Sequence, residues 1–341
     1  MSRLHRKDAL NFLSKLTVRR TWNFFLLWSS YQLSKGLRRP IHWGNPFSLS
    51  IEPTTSCNLR CPECPSGLRA FTRPTGMLQT NFFRNTIDQL HKDLTYLVFY
   101  FQGEPYLNPA FLEMVRYASD KKIYTATSTN AHYLTDENAK RTVESGLDRL
   151  IISIDGTTQE VYQQYRVGGK LEKVIEGAQN IVRWKRELKS RTPFIIFQFL
   201  VVKPNEHQIE EVQALGRSIG VDAVWLKTAQ IYDYEKDPNG LIPSIGKYSR
   251  YEKTESGTRF KGNLANHCWR LWQDPVITWD GLVAPCCFDK DAVHRLGDLK
   301  AQSFKEIWRS PAYRSFREKL WSGRKHIDIC ANCSEGTRVW G

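Results

Sequence analysis

Long apolar runs are missing from this sequence. No stretch approaches the roughly 18–20 apolar residues of a membrane span, and the longest early candidate, Trp22–Trp28, is far shorter. No small-residue cleavage site follows an apolar segment near the N-terminus, so no signal peptide is expected. The expected compartment is the reducing cytoplasm, where thiols persist. Cysteine is scarce: eight in 341 residues cannot staple a chain of this length. That excludes a disulfide scaffold and makes clustered thiols candidates for metal binding. Acids are short of bases, 35 against 49, and the net charge of +14 points to an anionic partner. Disorder is excluded by 41% apolar and 25% charged residues.

What is present is unevenly spread. The first 40 residues hold nine Lys/Arg and one acid, Asp8, which leaves +8 there. Leu10, Phe12, Leu13, Leu16, Trp22, Phe24, Phe25 and Trp28 are interleaved with them. This predicts one or two basic amphipathic helices ending near Gly36 and Pro40. Such an arm either lies on an anionic membrane surface, at the inner face of the membrane, or packs across the body of the protein with its charges solvated. It matches no nucleic-acid-binding motif, so nucleic acid ranks lowest among the partners.

From Phe47 to about Lys227 short apolar runs alternate with helical patterns. The expected strands are Phe47–Glu52, Thr95–Phe101, Ile123–Ser128, Arg149–Ile154, Phe194–Val202 and Ala223–Thr228. Between them lie expected helices, including one over 81–92 and a long one over 158–188. Six βα units imply an α/β fold with a parallel sheet inside its helices, and chemistry on the loops after the strands. The division expected is a helical arm over 1–45, a barrel over 46–230, a linker over 231–262 and a C-terminal module over 263–341.

Directly after the first strand comes Cys57-Asn-Leu-Arg-Cys61-Pro-Glu-Cys64. Three thiolates suit a soft metal centre, one short of a closed tetrahedral zinc site. They are what a 4Fe–4S cluster needs if one iron is to stay open. A structural zinc site or buried free thiols are the alternatives. Here the sequence resembles the radical S-adenosylmethionine (SAM) superfamily, which carries this motif after the first strand of a partial (β/α)6 TIM-like barrel. The resemblance covers about residues 46–230. Gln102-Gly103-Glu104-Pro105 follows the second strand, where the family contacts the methionine amino group. Ser128-Thr129-Asn130 is similar to a family Thr-Asn-Gly stretch. Ser153-Ile-Asp155-Gly156 ends the fourth strand, where the family contacts SAM's ribose and carboxylate. Arg166 lies where some members hold that carboxylate. The resemblance thus implies SAM contacts from Gly103, Glu104, Thr129, Asn130, Ser153, Asp155 and Arg166. Two positions depart from the family pattern, Glu63 before the third cysteine and Gln102 before Gly103.

The last 80 residues hold six of eleven tryptophans and five of eight cysteines. They contain Cys268, an Asp280-Gly281 hairpin signal, Cys286-Cys287, an expected helix over 304–320, and Cys330-Ala-Asn-Cys333. Four thiolates suit zinc or an iron–sulfur cluster equally. The spacing looks like the SPASM/twitch module that follows radical SAM barrels. Its short form implies one auxiliary 4Fe–4S cluster on Cys268, Cys286, Cys330 and Cys333. Cys287 is then left over as a small buried hydrophobe, and which of the adjacent pair ligates stays open.

The resemblance implies two 4Fe–4S clusters, SAM, and an electron donor such as flavodoxin or ferredoxin. The chemistry implied is reductive cleavage of SAM, hydrogen abstraction from a substrate carbon, and electron uptake by the auxiliary cluster in a net oxidation. A polar or lipid-linked small molecule is the expected substrate. A peptide-modifying maturase and a non-catalytic iron–sulfur or zinc protein are the alternatives. No residue marks the catalytic base. Lys227, at a strand end, and Gln198 are candidate substrate contacts, and of the two only Lys227 can take a proton.

Overall fold

A computed structural model describes the backbone of residues 3–335 and the side chains of residues 6–335, so Trp340 lies outside the described residues. Two helices open the chain, α1 (Arg3–Ser14) and α2 (Val18–Leu37). Six strands follow: β1 (Ser48–Ile51), β2 (Tyr96–Val98), β3 (Tyr124–Thr129), β4 (Arg149–Ser153), β5 (Phe194–Val201) and β6 (Ala223–Thr228). They pair in chain order and all run parallel. Residues of β1, β3 and β4 are buried on both faces, as a sheet wrapped in helices requires. The helices turn one apolar stripe onto it; Thr80–Leu90 buries Phe83, Ile87 and Leu90.

Two expected long helices are broken, each for a local reason. The 158–188 pattern divides into Gln159–Tyr165 and Leu171–Glu187. Arg166 leaves helical geometry at ψ 60, and Gly168 takes a φ of +81, a conformation glycine adopts without steric cost. The 304–320 pattern divides into Phe304–Trp308 and Pro311–Gly323. Ser310 caps the second piece and Pro311 occupies its first turn, where its missing N–H costs nothing.

Residues 231–262 carry a two-stranded ribbon, β7 (Tyr251–Thr254) with β8 (Gly257–Phe260). Ile231, Leu241 and Tyr251 pack with Leu59, Cys61 and Tyr165. The C-terminal hairpin, β9 (Val276–Ile277) and β10 (Leu282–Ala284), is antiparallel, and β9 then pairs parallel to β1. β11 (Gly297–Asp298) lines up against β10. One nine-stranded sheet therefore runs from β11 to β6, with those two as its edges among the described residues, so the barrel is partial.

The arm packs on the body. Phe12 sets its ring edge-on to Tyr96 and Tyr124, the first residues of β2 and β3. Asn11 donates to Asp148 at 2.8 Å, and Lys15 pairs with the same carboxylate at 3.0 Å. Asp8 accepts from the Tyr124 hydroxyl and from Arg149. The buried Arg20 donates to the carbonyls of Lys15, His91, Lys121 and Lys122. Not all arm charges are solvated, as the packed-arm expectation had it: Asp8 and Arg20 are buried and hydrogen-bonded, with only Arg20 Nε left without a partner. α1 thus covers the end of the barrel where the strands begin.

Candidate active site

The cysteine loop leaves β1 at the opposite end. Each of its thiols meets a polar group from the end of another strand or helix. Asn130, just after β3, places Nδ2 3.9 Å from Cys57 Sγ and 2.8 Å from Asn58 Oδ1. Arg166 Nη1 is 3.8 Å from Cys61 Sγ. Gln102 Oε1 is 3.9 Å from Cys64 Sγ. Burial pushes the Cys57 thiol up to about 12. Cys61 rises too, burial outweighing the opposing pull of Arg166. Such thiols stay protonated at neutral pH unless a metal takes them as thiolates. Among the described residues, no three His, Cys, Asp or Glu converge as ligands of a single metal ion. A 4Fe–4S cluster takes one cysteine per iron, and three cysteines leave one iron open. The donor set fits the cluster.

The stretch after β2 is shaped by one glycine. Gly103 has a φ of +74, and a Cβ there would lie 2.1 Å from the Thr54 carbonyl oxygen. Only glycine lets this backbone press against the cysteine loop. Its N–H donates to Ser66 at 2.8 Å. Glu104 next to it is buried and accepts from Thr129 Oγ1 at 2.7 Å, the Asn130 N–H at 2.8 Å and the Tyr106 N–H at 3.3 Å. A carboxylate has about four acceptor positions, so room for about one further donor remains. Burial pushes Glu104 up to about 7 against those hydrogen bonds.

Asp155 and Arg166 form the other wall. Asp155 is fully buried; Oδ1 accepts from the Leu200 N–H at 2.7 Å and Oδ2 from Arg166 Nε at 2.5 Å. Against the cost of burial, Asp155 and Cys61 hold Arg166 well above its ordinary value, so it stays a cation. The helix break described above sets Arg166 in this place. Ser153 Oγ lies 3.4 Å from Ser128 Oγ, between β3 and β4. Gly103, Glu104, Thr129, Asn130, Asp155 and Arg166 are thus linked to one another or to the cysteine loop, and Ser153 ends the strand beside β3. Glu63 and Gln102, the two departures from the family pattern, have jobs of their own. Buried Glu63 accepts from the Tyr232 N–H at 2.9 Å and from Asn239 Nδ2 at 3.5 Å, stapling residues 231–239 to the cysteine loop. Nothing in the local sequence signals a partner so far along the chain.

The second set of thiols surrounds an arginine that sequence reasoning missed. Arg324 is buried, donates from Nη2 to Cys333 Sγ at 3.4 Å, and is raised by Cys268, Cys333 and Cys330 although burial lowers it. Cys286 is pushed up by burial and by the adjacent Cys287, Cys268 and Cys330. Cys287 faces the other way. Arg270 Nη1 donates to its sulfur at 3.5 Å, and its further charged neighbours are Asp274, Glu335 and Lys227. Of the adjacent pair, Cys286 is the one influenced by Cys268 and Cys330, and Cys287 the one held by Arg270. Lys227, the last but one residue of β6, is exposed. Protein crowding around its ammonium lowers its pKa; Cys287 opposes the shift, while Arg250 and Arg270 add to it.

A family model for the radical SAM superfamily matches residues 51–213, and one for the iron–sulfur cluster-binding SPASM domain matches 268–334. The chain belongs to the radical SAM superfamily. It is a radical SAM enzyme with a C-terminal SPASM module, and its cofactors are 4Fe–4S clusters and SAM. It is 27% identical over 308 residues to a tungsten-containing aldehyde ferredoxin oxidoreductase cofactor-modifying protein of Pyrococcus furiosus, covering 79% of this chain and 82% of that one. It is 25% identical over 319 residues to the PqqA peptide cyclase of Gluconobacter oxydans, covering 87% and 85%. Its fold is similar to that of BtrN in complex with AdoMet and 2-DOIA, at a TM-score of 0.53 and 17% identity, covering 87% and 95%. Among the described residues, no helix is long and apolar enough to cross a membrane.

Proposed function

We propose that this radical SAM enzyme carries out a net two-electron oxidation of a polar or lipid-linked small molecule in the cytoplasm, fed by a flavodoxin or ferredoxin. The observation that carries the reading is the contrast between two thiol sets. Cys57, Cys61 and Cys64 would hold one cluster with an iron left open. Cys268, Cys286, Cys330 and Cys333 would close the other completely. When bound, these groups supply reductive cleavage of SAM at the first site, giving the 5′-deoxyadenosyl radical, and an electron acceptor at the second.

The protein's own residues do the rest. Arg166, fixed by Asp155, is the cation for the SAM carboxylate, and Glu104 offers its remaining acceptor position to the amine. Gly103, Thr129, Asn130 and Ser153 line the same wall. Asp155 and much of Glu104 act by orienting other groups. The substrate gives up a hydrogen atom from carbon, then a proton from the neighbouring atom and an electron, which leaves a double bond between the two. Lys227, lowered by its surroundings and standing between barrel and module, takes the proton.

A peptide-modifying role is the second reading, favoured by the likeness to the PqqA peptide cyclase. Against it, residues 3–37 form two helices and a short turn and offer a peptide no sheet edge. The test is reduction of the reconstituted enzyme with SAM. About eight irons per chain are expected for two 4Fe–4S clusters, with release of 5′-deoxyadenosine. Full iron loading without SAM cleavage would end the proposal.

A further inference from the structure

The polarity of α2 is inverted. A helix on a globular body normally turns its apolar stripe inward. In α2 the buried residues are Arg20, Asn23, Leu27, Ser30, Tyr31 and Ser34. Val18, Trp22, Phe25 and Leu33, one helical face, stand outward at 91, 60, 51 and 43% exposure. Trp22 and Phe25 stack on each other at 5.5 Å. The inward polar groups are satisfied apart from Arg20 Nε: the two Nη atoms of Arg20 by four carbonyls, Asn23 by Asn45, and Ser30 and Ser34 by backbone oxygens. The inversion is therefore stable as built. Charge is sorted in the same way. Asp8, the one acid before Glu52, is buried against Tyr124 and Arg149. Arg6, Lys7, Lys35, Arg38 and Arg39 are exposed.

We infer that this outer face docks the enzyme on an anionic lipid bilayer. An aromatic and aliphatic stripe flanked by cations, with no exposed acid, is the composition of a helix lying in the headgroup region. Tryptophan is at home at that depth, and lysine and arginine meet the anionic headgroups. α1 and the start of α2 sit where the strands begin, at the far end from the cysteine loop, so docking there leaves the SAM site uncovered.

The test is sedimentation of the full-length holoenzyme with phosphatidylcholine vesicles, with and without about 30 mol% phosphatidylglycerol, at low ionic strength. The wild type is expected to bind the anionic vesicles at least about tenfold better than the neutral ones. The double variant Trp22→Ser/Phe25→Ser is expected to lose about tenfold in binding while cleaving SAM at the wild-type rate. Failure of the wild type to bind anionic vesicles overturns the inference, and so does equal binding by the double variant. A concentration-dependent dimer that the double variant abolishes, without vesicle binding, assigns the face to a second copy of the chain and overturns it too. Vesicle binding is read separately from SAM cleavage, so the two proposals fail separately.

Discussion

The two thiol sites of this molecule are built on opposite plans. Cys57, Cys61 and Cys64 share one loop, and of their polar neighbours Gln102 and Asn130 follow strands while Arg166 ends a helix. Cys268, Cys286 and the Cys330/Cys333 pair come from three segments of the module, and Cys268, Cys330 and Cys333 gather around one buried arginine, Arg324. On the proposed ligand sets, the first plan would leave a coordination position for a ligand with the proposed SAM-binding groups beside it. The second would spend four thiols on closure and leave Cys287 outside. The difference teaches that ligand count and neighbours, rather than cysteine content, separate a reacting centre from an electron-handling one.

The comparison breaks most visibly at the first loop. Exchange of Cys57, Cys61 or Cys64 for alanine is expected to abolish 5′-deoxyadenosine formation, measured chromatographically after reduction with SAM. Next in size is Lys227→Gln, expected to remove substrate turnover while sparing SAM cleavage. Because its surroundings lower Lys227 from the ordinary 10.5, its neutral form gains with rising pH. Turnover should climb with pH and level off below that value. A flat profile would contradict its role as base. Asp155→Asn removes the carboxylate that fixes Arg166, and is expected to lower kcat/KM for SAM by about 10- to 100-fold with the iron content unchanged. The smallest effect sharpens the second site. Cys287→Ser should leave the iron content as it is, whereas Cys286→Ser should lose about four irons per chain. Equal losses would remove the distinction between the two.

The first site was legible because its signal is local. Three cysteines at fixed spacing after an apolar strand need no tertiary knowledge, and the turn residues after the later strands fall at readable places. The positions of all six barrel strands followed from alternating apolar runs. The missed features depend on contacts between distant segments. Glu63 reaches Tyr232 and Asn239 across the chain. Arg324 comes from a helix end with no pattern of its own. The pairing of β9 with β1, which fuses module and barrel into one sheet, involves two residues of β9. The break at Arg166–Gly169 was hidden because Leu171 resumes the helical period soon after. The arm's outward apolar face was hidden for another reason. Periodicity finds an apolar stripe but does not say which way it faces, and here arginine, asparagine and serine point inward.

The central claim is that the two thiol sites divide the work. Its most direct test compares 5′-deoxyadenosine formation by Cys57→Ala and Cys268→Ala holoenzymes under the same reduction. The account predicts none from Cys57→Ala. It predicts continued SAM cleavage by Cys268→Ala without substrate turnover. Equal loss of cleavage in both variants would contradict it.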